Sequence, residues 1–162
     1  MADVVAQLLP LFPAIPLIAA AFALLAPWRA VRDAIMLIIP GVGVFAGLGL
    51  LIYTMNNGVV AHTVGLYVGN VGIPFAADAF SALMIITTMI VAFGANWFAI
   101  AGGETKSRFY PSLTLILITG VCGALLTADL FNFFVFIEVM LLPSYGLITM
   151  SGTWSRLAAG RA

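Results

Sequence analysis

The run DLFNFFVFIEVMLLPSYGLIT, Asp129 to Thr149, sets a single carboxylate, Glu138, in the middle of a largely apolar stretch. At a rise of about 1.5 Å per residue, roughly twenty such residues reach about 30 Å, the thickness of a hydrocarbon core, so the run predicts a transmembrane helix. An acid at the centre of such a helix costs about 2.5–3.5 kcal/mol on insertion scales, which implies a partner or a role for it.

At about 100° per residue, Phe131, Phe134, Val135, Leu141, Leu142, Tyr145 and Thr149 share the face of Glu138, and Asp129 lies opposite. Pro143 cannot donate to the carbonyl of Val139, so the helix is expected to bend or loosen one turn after the glutamate. Such an opening is tolerated at membrane depth only where protein or a water-filled cavity covers it, so Glu138 is expected to be buried against protein. Pro143 and Tyr145, with Asp129 and His62, become accessory candidates for its site.

With 64% hydrophobic and 7% charged residues, the chain departs far from the roughly 25% charge of soluble domains and reads as a polytopic membrane protein. A formal net charge of +0 leaves no basic footprint for nucleic acid. The one cysteine, Cys122, excludes an internal disulfide framework and a cysteine-built metal site. No grouping of nucleophile, base, metal ligands or cofactor ligands emerges, so neither an enzyme nor a cofactor is expected. Asp3 and the lack of Lys or Arg before Arg29 differ from a cleaved secretory signal, so the first helix is expected to be retained.

In chain order, a first span runs from Leu9 to Trp28, with Pro10, Pro13 and Pro16 near its start, where missing amide donors cost least. Arg29, Arg32 and Asp33 form a short charged loop, and a second span follows from about Ala34 to Met55, the two making a helical hairpin. Gly43 and Gly47, four apart, suit close helix packing. Asn56 to Ala77 is too rich in glycine to span and predicts a short outer β-hairpin turning around Gly69 and Asn70. His62, the only histidine, has the chemistry of a proton relay, but its interfacial position favours an ordinary loop residue.

Asp78 reads as the N-cap of a third span, Ala79 to Ala101, whose Thr87, Thr88 and Asn96 are expected to bond to backbone or neighbouring helices. The loop from Gly102 to Tyr110 carries Glu104, Lys106 and Arg108. A fourth span runs from Pro111 to Thr127, and Asp129 is expected to cap the fifth rather than act chemically. Trp154 is an interface anchor in the polar tail. All six Lys and Arg fall in the loops after spans one and three or in the tail, which predicts an outside N-terminus and a cytoplasmic C-terminus. The expected fold is therefore all-α, a single membrane domain over residues 1–162 with five spans and one outer β-hairpin between spans two and three.

The segments Asp129 to Ile148 and His62 to Met84 together resemble the antiporter-like membrane subunits, and within them the D subunit of Mrp-type cation/proton antiporters. The wider family includes subunits of respiratory NADH:quinone oxidoreductase and membrane-bound hydrogenases, which give the alternative assignment of a proton-pumping subunit. The resemblance implies that Glu138 takes part in proton translocation by coupling to a lysine on a later helix. It also implies other membrane subunits as partners, a cell-membrane location, and protons and sodium as the transported ions. The family has about fourteen helices, so the chain resembles an N-terminal portion whose partner lysine lies elsewhere. A structural module in which Glu138 merely sits satisfied is the competing reading.

Overall fold

A computed structural model describes residues 2–65 and 72–150; the turn expected around Gly69 and Asn70 and the tail with Trp154, Arg156 and Arg161 lie outside the described residues. The described chain is mostly helical, in the order α1 Ala2–Leu8, α2 Leu11–Leu25, α3 Arg29–Asn57, β1 Val60–Val64, β2 Ile73–Ala77, α4 Ala79–Gly102, α5 Tyr110–Leu126 and α6 Leu130–Thr149. Val4–Leu25, α3, α4 and α6 are long and apolar enough to cross a bilayer, and α5 is a shorter apolar helix. The protein is a multi-pass membrane protein with a two-stranded hairpin between its second and third long helical segments.

The first crossing segment starts earlier than the sequence suggests, at Val4, because α1 and α2 continue each other across Leu9 and Pro10. It ends at Leu25, since Ala26 precedes Pro27 and takes extended backbone angles, φ −63° and ψ 126°. The loop expected at Arg29, Arg32 and Asp33 is instead the first turns of α3, so that crossing helix does contain arginines. Arg29 Nε lies 3.5 Å from Asp33 Oδ2 one turn on, and its Nη2 donates to Thr105 Oγ1 at 2.9 Å. At the far end of α3, Asn56 and Asn57 side chains donate to the carbonyls of Ile52 and Tyr53 at 2.8 and 3.0 Å, and Gly58 at φ 78° ends the helix.

The helices do not stack in simple sequence order. α2 packs chiefly on α5, and α3 on α4, so the expected hairpin of spans one and two is splayed. Between α2 and α3 lies an apolar cavity of about 520 Å³ lined by Phe12, Ile15, Val42, Leu50 and Tyr53 among others. Gly43 and Gly47 do serve close packing: a Cβ on Gly43 would stand 2.6 Å from Met89 Sδ, and one on Gly47 2.8 Å from Ile86 Cγ1. Asn96 of α4 donates to the carbonyl of Met36 at 3.0 Å, while Thr87 and Thr88 donate back to their own helix.

α5 is the axis of the bundle. Leu115, Ile118, Cys122 and Leu126 are buried, and Ser112 Oγ donates to Ala20 O at 2.9 Å. Its 17 residues reach only about 25 Å, short of a full hydrocarbon core. Neighbouring helices, not lipid, meet most of its surface, so that shortfall costs little.

The hairpin pairs antiparallel in the register Val60↔Ala77, His62↔Phe75 and Val64↔Ile73. β2 also docks on the link between α5 and α6: Phe75 bridges to Thr127, and Ala128 N donates to Pro74 O at 3.0 Å. This ties the hairpin to the entrance of α6.

Candidate functional site

α6 carries Glu138, and its orientation follows from the surface of α5. Gly120 and Gly123 leave a notch on α5: a Cβ on Gly120 would come 2.9 Å from Phe136 O and 3.0 Å from Met140 N, and one on Gly123 would strike the Phe136 ring. Phe136 and Met140 therefore face α5. At about 100° per residue Glu138 lies roughly 200° around from Phe136 and points the other way.

The expected burial of Glu138 is not found among the described residues; its side chain is exposed. The reason is the packing of α6: the helix lies chiefly along α5, and of its residues only Pro143 is buried. The face predicted to accompany Glu138 is the uncovered face, with Phe131, Phe134, Leu142 and Tyr145 all exposed on it. Glu138 and Tyr145 share that face two turns apart, about 10 Å along the helix axis. Pro143 is not beside them; it is buried on the side of Phe136 and Met140. α6 runs through Pro143 without a break in the helix, and Ser144 Oγ donates to Met140 O at 2.7 Å.

Asp129 and His62 stand apart from Glu138. Asp129 caps α6: its Oδ2 accepts from Asn132 N at 3.1 Å and from Asn132 Nδ2 at 3.0 Å. Asp78 caps α4 in the same way, accepting from Ser81 N at 2.7 Å, and this amide holds its carboxyl below the usual carboxylate range. His62 lies on β1 opposite Phe75. Its neighbour Thr63, with Pro74, Asp129 and Asn132, lines a cleft of about 550 Å³ between the hairpin and the start of α6.

The sequence reading missed a polar knot at the opposite end of the bundle. Thr105, buried in the link between α4 and α5, accepts from Arg29 and donates to Asp33 Oδ2 at 3.4 Å, and Arg108 Nε donates to Leu24 O at 2.9 Å. The signal was present in the close spacing of Arg29 and Asp33, an i,i+4 pair. That pair is the one ion pair among the described residues, so Glu138 has no cation against it there. Among the described residues no three His, Cys, Asp or Glu side chains converge as a metal site would require. What the arrangement offers chemically is one carboxylate at mid-helix, a phenol two turns away, and an uncovered apolar surface around both.

No protein-family model matches the chain. The D subunit of the Na+/H+ antiporter of Bacillus subtilis is 39% identical over 108 residues, 65% of this chain and 22% of that protein. The putative antiporter protein mnhD2 of Staphylococcus epidermidis, also a subunit, is 35% identical over 124 residues, 73% of this chain and 24% of that protein. The chain thus spans about a quarter of the length of these relatives. Among solved structures, a chain of the Mrp complex from Dietzia sp. DQ12-45-1b superposes with a TM-score of 0.90 at 42% identity, over 96% of this chain and 30% of that one. A chain of the archaeal membrane-bound sulfane sulfur reductase superposes at 0.82 with 23% identity, over 97% of this chain and 32% of that one, a likeness of fold alone.

Proposed function

This chain is homologous to the D subunit of Mrp-type Na+/H+ antiporters over an N-terminal quarter of that subunit, and from that premise we propose that it is a single membrane module of a multisubunit sodium/proton antiporter that contributes Glu138 to the proton path. The observation that carries the reading is the position of Glu138: mid-helix, on the exposed face of a helix held chiefly by α5. Left against lipid, a carboxylate there costs about 2.5–3.5 kcal/mol, so in the assembled protein that face is covered by protein. The covering element supplies a lysine, and Glu138 exchanges its proton as the pair forms and separates. Tyr145, on the same face, extends the hydrogen-bonded route by one more group. His62 and Pro143 have no part in the path, and Asp129 acts as a cap.

The orientation follows from charge. Arg29, Arg32, Lys106 and Arg108 gather at one end of the bundle, where Arg29 bonds Thr105 and Arg108 bonds the end of α2, while the hairpin lies at the other. The positive-inside rule puts the arginine end in the cytoplasm and the hairpin outside.

Glu138→Gln in the assembled complex tests the reading. The amide keeps the shape of the acid and cannot titrate, so exchange is expected to fall by about 100-fold or more at unchanged complex abundance. Glu138→Asp keeps part of the activity. Normal exchange with the amide leaves Glu138 a structural group.

A further inference from the structure

The rotation of α6 about its own axis is decided at one place. α6 packs along α5 and along no other helix to a comparable extent, so its azimuth depends on how the two surfaces interlock. The Phe136 ring occupies the Gly123 notch, where a Cβ would overlap it, and the backbone of Phe136 and Met140 lies against Gly120. The same ring meets Phe75 of the hairpin, centroids 6.5 Å apart and planes inclined by 58°. Phe75 is itself buried and fixed twice, by its pairing with His62 in β1 and by its bridge to Thr127. Phe136 is thus gripped by two elements anchored independently of α6.

We propose that Phe136 is the positioning residue for Glu138: seated in the Gly123 notch and against Phe75, it fixes the rotation of α6 and so the direction in which the carboxylate faces. The inference rests on the reading of Glu138 as the working carboxylate. An α-helix with its side chains is about 10–12 Å across, so a carboxyl at the rim stands about 5–6 Å from the axis, and a turn of about 30° carries it about 3 Å. That distance separates a formed hydrogen bond from a broken one. Few other titratable groups can answer for a changed pH response: α6 adds Tyr145 and its capping Asp129, α5 adds Tyr110 and Cys122, and the described hairpin strands add His62.

The test uses the protein in its assembled complex, with cation/proton exchange measured across pH in membrane vesicles and complex abundance determined in parallel. Gly123→Ala pushes the ring from its notch and is expected to lower exchange by about tenfold or more, since misplacement of a reacting group by about 1 Å can cost about 100-fold. The pH of half-maximal exchange is expected to move by about half a unit or more as Glu138 changes its distance from its partner charge. The double variant Gly123→Ala with Phe136→Leu, whose smaller side chain admits the new methyl, returns both quantities toward those of the unsubstituted protein. Should Gly123→Ala prevent assembly, Phe136→Leu alone carries the test, because it removes volume instead of adding it, and the same displaced midpoint is expected. Wild-type rate and midpoint in either single variant at normal abundance would overturn the proposal. Glu138→Gln run alongside separates the two failures: if it is inactive while both single variants behave as wild type, only the positioning role is lost, whereas if it exchanges normally the parent reading fails.

Discussion

Two carboxylates on or beside α6 stand in different settings because of where the helix puts them. Asp129 stands just before the first turn, with extended angles of φ −126° and ψ 132°, and its oxygen takes up an amide that the helix leaves without a partner. An asparagine can do the same, so Asp129→Asn should leave cation/proton exchange near normal, while Asp129→Ala should lower the stability of the module by about 1 kcal/mol in a thermal unfolding measurement. A large loss of exchange in Asp129→Asn at normal stability would give Asp129 a chemical role that its geometry does not suggest. The capping of α4 by Asp78 and of α6 by Asp129 was legible in the sequence because a cap is a local event spanning four residues. The exposure of Glu138 was not, since it depends on which elements flank α6, and nothing within the helix states that.

Helix contacts follow from small residues placed where another backbone must come near. A Cβ on Gly47 would press on Ile86 Cγ1 at 2.8 Å, whereas Gly49 on the same helix meets nothing within 4 Å. Gly47→Val should therefore cost about 1–3 kcal/mol by overpacking the α3–α4 contact. Gly49→Ala should be neutral or stabilising by up to about 1 kcal/mol through helix propensity. Thermal unfolding of the two variants in detergent checks the contrast, and equal destabilisation would refute the contact. The lengths of α4 and α6 were close to what apolar runs dictate, because membrane thickness fixes them from outside. The start of α3 was not, since charged residues in sequence look like a loop until Arg29, Asp33 and Thr105 are seen to bond one another. The splaying of α2 from α3 was equally hidden: α5 and α4, far along the chain, take up their faces.

For the whole molecule, the charge-bearing end and the hairpin end define a direction across the bilayer. Membrane-impermeant thiol labelling of intact cells should modify Thr63→Cys on the hairpin and spare Lys106→Cys, and the reverse pattern would invert the orientation. The resemblance of the Asp129–Ile148 and His62–Met84 segments pointed to the family from residues alone, and the superposition on a chain of the Mrp complex at a TM-score of 0.90 carries the same fold across nearly the entire length. What binds the uncovered face of α6 is where the central claim lies. It is tested most directly by sodium/proton exchange in vesicles carrying the complex with Glu138→Gln, compared with Asp129→Asn at matched abundance. The account predicts exchange reduced by about 100-fold or more in Glu138→Gln and nearly normal in Asp129→Asn; normal exchange in Glu138→Gln would contradict it.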